Sequence, residues 1–189
     1  LEAVVHGGGQ ERDVAVLFVD LVGSTQLAAT IPAAEVVNLL NEFFRVVVDT
    51  VNRHGGFVNK FQGDAALAIF GAPIEHPDAS GAALAASREL HDELIEVLGE
   101  TEFGIGVSAG RAIAGHIGAQ ARFEYTVIGD PVNEAARLST YAKADPTVPW
   151  ASGSAFDAAE PAERRHWREG PTEVLRGRNQ PTWMFLATS

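Results

Sequence analysis

The chain has 189 residues, 46% hydrophobic and 21% charged: one domain's worth, with apolar material for a sizeable core, and not a disordered polymer. Its 14 basic and 25 acidic residues leave a net charge of −11, so the surface repels a polyphosphate backbone and nucleic acid is excluded as a partner; an anionic substrate needs a metal or a few placed Arg and Lys. The absence of Cys removes disulfides and thiolate zinc sites and is compatible with a reducing cytosol, and no apolar run has the length of a membrane span.

The chain starts at Leu1, not Met, and Gly7 to Gly9 mark residues 1–11 as a flexible lead-in from a longer protein, with the folded domain expected over 12–189. Val14 to Asp20 is an apolar run ending in a carboxylate, the pattern of a strand buried on both faces. Leu21 to Thr25 follows as a tight turn, with Ser24 or Thr25 available to cap the next helix. Pro32 suits a first helical position, and Val36, Leu39, Leu40, Phe43, Phe44, Val47 and Val51 keep helical spacing over Ala33 to Arg53, before Gly55-Gly56 stops the helix. Phe57 to Phe61 and Ala65 to Phe70 read as a β-hairpin with Gly63-Asp64 at its tip. An Ala-rich helix is predicted over Pro77 to Leu98, strands over Phe103 to Gly115 and Phe123 to Ile128, a turn at Gly129-Asp130-Pro131 and a helix over Val132 to Tyr141. Val174-Leu175 and Trp183 to Leu186 complete the sheet as short strands. The order implies an α+β domain with helices on one face of a mainly antiparallel sheet.

Four features carry chemistry. Asp20 directly follows six apolar strand residues, where an unpaired carboxylate is costly, and a Gly-Ser turn follows it; a helix cap or turn role is the plainer use of such a residue. Asp64 sits at a hairpin tip, where an aspartate is ordinarily only a turn residue. Two carboxylates at adjacent strand ends can nevertheless hold hard divalent cations that activate one oxygen and neutralise another. Lys60, one of only two lysines with Lys143, lies in an apolar strand four residues before Asp64, either guarding a sheet edge or donating to a ligand. Asn133 and Arg137 are four apart and share a helix face, either solvated or offering an amide and a guanidinium fork to a nucleotide. No G-x-x-x-x-G-K-[ST] or H-E-x-x-H occurs, and Gly104-Ile105-Gly106 lacks the third glycine of a dinucleotide fingerprint.

Together LFVDLVGST, FVNKFQGDAALAIFG and EYTVIGDPVNEAARL, in this order and spacing, resemble the class III adenylate and guanylate cyclase catalytic domain, bacterial and especially actinobacterial members above all, over residues 12 to about 187. The resemblance implies the ferredoxin-like, palm-type cyclase sandwich: a mainly antiparallel central sheet with helices packed on it. It also implies conversion of ATP to cyclic AMP and pyrophosphate. By it, Asp20 and Asp64 are the metal-binding aspartates for two divalent cations, Mg²⁺ or Mn²⁺. Lys60 and Thr126 are the base-recognising residues, Asn133 orients ribose and base, and Arg137 stabilises the transition state. Val22, Gly23, Ser24 and Thr25 form the loop whose backbone holds the terminal phosphates. Thr126, seven residues before Asn133, departs from the family's common Asp, which loosens the expectation of ATP over GTP; a guanylate cyclase usually carries Glu where Lys60 stands. The family's sites are shared across a dimer, and this chain holds every role itself, so a homodimer suffices. The resemblance places the domain in the cytoplasm, not itself membrane-inserted, and in several actinobacterial members it follows a membrane region and a HAMP linker. A guanylate cyclase and a catalytically silent regulatory module are the alternatives; a diguanylate cyclase is disfavoured because the hairpin reads Gln62-Gly63-Asp64-Ala65-Ala66 and not Gly-Gly-Asp/Glu-Glu-Phe.

Overall fold

The computed structural model of the chain describes residues 9–119 and 122–188. An eight-stranded sheet runs in the order β2-β3-β1-β4-β6-β8-β7, with β5 pairing β4 alone. Its central strands are β1 (Gln10–Leu21), β3 (Ala65–Phe70) and β4 (Phe103–Ala119), and β2 (Phe57–Gln62) forms one edge. Strand β5 (Arg122–Ile128) returns along the far half of β4 as a long arm, while β6 (Trp150–Ser152), β7 (Trp167–Glu173) and β8 (Thr182–Ala187) extend the other side. All pairings are antiparallel except β4–β6. This is the expected α+β architecture.

Strand β1 explains the layers. Ala15, Leu17, Val19 and Leu21 enter a core with Phe43, Val47 and Val51 of α2 (Ala33–Arg53) and Leu84, Leu90 and Leu94 of α3 (Ala79–Leu98). Val14 and Val16 enter a second core on the opposite face, with Ala112, Ala114, Val127 and Ala135 of α4 (Asp130–Ala142). Helices therefore cover both faces, correcting the expectation of one. The unbroken apolar run of β1 required this, because a strand buried on both sides needs a partner layer on each. Each fully buried Leu or Phe contributes roughly 1.5–3 kcal/mol.

Several elements sit as the sequence indicated, and others do not. Strand β1 starts at Gln10, pairing with Ala114, so it begins inside the stretch expected to be lead-in; residues 1–8 lie outside the described ones. Helix α1 (Ser24–Thr30) is capped by the backbone of Gly23, in the left-handed region at φ 67°, with no side-chain cap. Pro32 is the N-cap of α2 rather than its first residue. Val174-Leu175 is not a strand: β7 ends at Glu173, and Leu175 instead packs into a cluster with Leu138, Trp150 and Met184. Strand β6 and the short helices α5 (Gly153–Ala158) and α6 (Pro161–Arg164) had no counterpart in the sequence reading. No helix among the described residues is long and apolar enough to cross a membrane.

Two glycines of β4 set the position of α4. A Cβ on Gly104 would lie 2.2 Å from the Ser139 carbonyl oxygen, and one on Gly106 would lie 2.4 Å from that of Ala135. The Gly104-Ile105-Gly106 pattern is thus a seat for a helix lying on a strand at backbone contact, not a phosphate loop.

Candidate active site

Asp20 and Asp64 converge. In the β1–β3 register Asp20 faces Ala65, and the Leu21 N–H donates to the Asp64 carbonyl at 3.1 Å. The two carboxyl groups come within hydrogen-bonding reach of each other. Burial raises the Asp20 pKa above its ordinary 3.8, Lys143 pulls it back down, and the neighbouring Asp64 charge pushes it up again. The mutual repulsion of two close carboxylates favours a cation between them.

A cation does stand on Asp20. Lys143, just past the end of α4, places Nζ 2.6 Å from Asp20 Oδ2, with both side chains largely covered. Sequence reasoning missed this residue; being one of only two lysines was its one visible signal. No group of three or more His, Cys, Asp or Glu that could hold a metal occurs among the described residues. The carboxylate pair is nevertheless a fitting donor set for hard cations such as Mg²⁺, which take one or two carboxylates and complete their shell from water and substrate phosphates.

Asn133, in the first turn of α4, and Arg137, one turn further on, line with Asp130 an open cavity of about 730 Å³ whose other wall is the loop from Gly177 to Gln180. Both are exposed. Arg137 makes no ion pair among the described residues, so its donors stay available; its guanidinium rests against Gly177, where an added Cβ would lie 3.6 Å from Nη2. Arg178 shares the wall but is committed: it pairs with Asp130 at 2.5 Å and with Glu134 at 2.8 Å. Glu134 is buried and also accepts from Ser108 Oγ at 2.6 Å and Thr182 Oγ1 at 2.8 Å, tying β4, β8, α4 and the Arg178 loop to one carboxylate. Glu134 and Arg178 too were absent from the sequence reading; a glutamate beside Asn133 looks like any exposed helix residue.

Lys60 and Thr126 are brought near each other indirectly. The Asn59 amide donates to the Tyr125 carbonyl at 2.7 Å, and the rings of Phe57 and Tyr125 pack edge to face. Each predicted residue is thus one position from this contact between β2 and β5. A register shift between Val58 and Lys60 re-aims the strand there, a common use of a bulge near a site. Lys60 is exposed and Thr126 half-buried.

Of the four loop residues, Val22 commits its N–H to the Glu102 carbonyl at 2.8 Å, which removes it as a backbone donor to an anion. Gly23, Ser24 and Thr25 lead into α1. One chain does not gather all these groups. Asp20 meets Lys143 beyond the C-terminal end of α4, while Asn133, ten positions earlier, is about 15 Å back along the helix axis. Asp20 and Asp64 take no part in lining the Asn133–Arg137 cavity.

Comparison with known proteins identifies the family and the fold. Residues 9–185 match the family model described as the adenylate and guanylate cyclase catalytic domain. An uncharacterised protein of Mycobacterium tuberculosis is 56% identical over 174 residues, covering 92% of this chain and 32% of that protein. A second from the same organism is 54% identical over 181 residues, covering 96% of this chain and 34% of its own length. The chain therefore spans about a third of these relatives. Among solved structures, the guanylyl cyclase Cya2 superimposes with a TM-score of 0.83 at 30% identity, covering 95% of this chain and 93% of that one. The adenylyl cyclase CyaB from P. aeruginosa gives 0.85 at 22% identity, covering 96% of each chain. With a matching family model across nearly its whole length, the fold of its solved members and the convergent aspartate pair, the chain belongs to the class III adenylate/guanylate cyclase catalytic domain family.

Proposed function

We propose that the chain is an adenylate cyclase, converting ATP to 3′,5′-cyclic AMP and pyrophosphate as a homodimer with shared sites in the cytoplasm. The observation that carries the reading is the convergence of Asp20 and Asp64 at one end of the sheet, apart from Asn133 and an Arg137 with no ion pair among the described residues, both in an open cavity. Two divalent cations, Mg²⁺ or Mn²⁺, bound by Asp20 and Asp64 would supply activation of the ribose 3′-hydroxyl and neutralisation of the phosphates. Arg137 donates to the α-phosphoryl oxygens as the 3′-oxygen forms its bond to the α-phosphorus and the bond to pyrophosphate breaks. Asn133 orients the ribose, Lys60 and Thr126 meet the adenine ring, and the backbone from Gly23 to Thr25 faces the terminal phosphates.

The distance along α4 between the two groups supports a site completed across a two-fold axis, where one protomer gives the aspartates and its partner gives Lys60, Thr126, Asn133 and Arg137. So does uncovered apolar surface on the β4–β5 arm and on β2: Ile113, Ile117 and Ile128 are 45%, 49% and 55% exposed, and Phe61 is 47% exposed.

GTP is the competing substrate. Thr126 in place of the common Asp loosens the base assignment, and the likeness to the guanylyl cyclase Cya2 favours GTP, while Lys60 in place of Glu favours ATP. Assays of cyclic AMP and cyclic GMP formation from ATP and GTP, with Mg²⁺ or Mn²⁺, decide between them. Cyclic AMP as the dominant product is the expected result. Cyclic GMP overturns the base assignment, and no product over a range of protein concentrations supports a silent module.

A further inference from the structure

We propose that Lys143 is a positioning residue of the metal site: its ammonium is the resident partner of Asp20, and an incoming divalent cation has to displace it. The inference rests on the metal reading of Asp20 and Asp64 above. Nζ and Asp20 Oδ2 are 2.6 Å apart although 123 positions separate the residues, so the fold builds this contact, not local sequence. Both groups are largely covered, with side-chain exposures of 25% and 19%, which keeps solvent from screening the pair. The route of the lysine stem is shaped for it. Gly104 lies directly opposite Asp20 in the β1–β4 register, and a Cβ there would lie 2.7 Å from Lys143 Cγ. The stem therefore crosses the strand where the glycine leaves room and delivers its charge to the end of β1.

A divalent ion on Asp20 and a lysine ammonium on the same oxygen repel each other at close range. The backbone of α4 lies at contact distance on β4 over Gly104 and Gly106, and moving it away would break that packing. The flexible four-carbon stem of Lys143 can swing aside instead, so the ammonium leaves and the helix stays. A purely structural salt bridge, pinning the end of α4 to the sheet, makes a different prediction: removing the ammonium lowers stability and leaves metal affinity unchanged.

The test titrates Mn²⁺ into the 189-residue chain without nucleotide, reading free Mn²⁺ by its electron paramagnetic resonance signal. Lys143→Met, which keeps an apolar stem, is expected to bind Mn²⁺ roughly five- to tenfold more tightly than the unaltered chain, and Lys143→Arg to bind about as the unaltered chain does. Asp20→Asn is expected to lose the binding. Unchanged or weaker affinity in Lys143→Met, with binding still lost in Asp20→Asn, overturns the displacement role and leaves the metal site standing. Equal binding by Asp20→Asn and the unaltered chain overturns the metal reading itself, and this inference with it. Should Lys143→Met fail to fold, Lys143→Gln carries the same comparison.

Discussion

At the scale of single residues, the site separates groups that hold charge from one that is free to use it. Arg178 is neutralised by Asp130 and Glu134, whereas Arg137 beside it makes no ion pair among the described residues. On the role proposed for it, Arg137→Ala is therefore expected to lower kcat by about 10²–10³ with little change in thermal stability, since it would remove a donor to developing charge and breaks no ion pair among the described residues. Steady-state kinetics beside a melting curve check this. Asp20 carries a pH signature. Its proton is held more tightly in the folded chain than its ordinary value of 3.8, with burial the main cause. The sign follows: ionising it costs folding free energy, so the contribution of Asp20 to the stability of the metal-free chain is lost as pH rises from 3.8 through the raised value, against the opposite contribution of carboxylates such as Glu89 whose pKa is lowered. Asp20→Asn should remove that part of the pH dependence in metal-free melting curves. A profile identical to that of the unaltered chain would contradict the assignment. Asp20 and Asp64 were legible in the sequence because each ends or precedes a strongly apolar strand, where a carboxylate needs a reason. Lys143 was not legible, because nothing local to its helix end points to a strand 123 positions earlier.

Among the elements, what could be read from the chain was what has a period. Helix α2 matches its predicted span residue for residue, and α3 and the β2–β3 hairpin differ only at their ends, because each carries its own repeat of apolar positions. Strand β6 is three residues long and pairs in parallel with β4, too short for any alternation to register. Val174-Leu175 misled because burial of Leu175 against Met184 and Leu138 looks, in one dimension, like a strand. Gly106 gives the sharpest test at this scale. A methyl group there would lie 2.4 Å from the Ala135 carbonyl and 2.5 Å from the Ser139 amide nitrogen, both backbone atoms with no rotamer to yield. Gly106→Ala is expected to cost about 1–3 kcal/mol of stability by lifting α4 from β4, and to reduce activity with it. Denaturant unfolding measures the first and product formation the second.

For the whole molecule, the decisive question is how many chains make a site. If the shared-site reading holds, Asp20→Ala is inactive alone and Arg137→Ala keeps only the residual rate given above, yet mixing them rebuilds one intact site per heterodimer. Partial recovery of product formation is the expected result, and none in a verified heterodimer counts against sharing. Specific activity should also climb with protein concentration, as assembly of a weak dimer requires. The same α4 contributes to both halves of such an assembly. Its early turns present Asn133 and Arg137, and its end delivers Lys143 to Asp20. The helix is pressed against β4 at two glycines and tied through Glu134 to β8. If two such chains pair as proposed, α4 enters the pair as one closely fitted unit, and a regulator would act on the gap and angle at which the two chains meet.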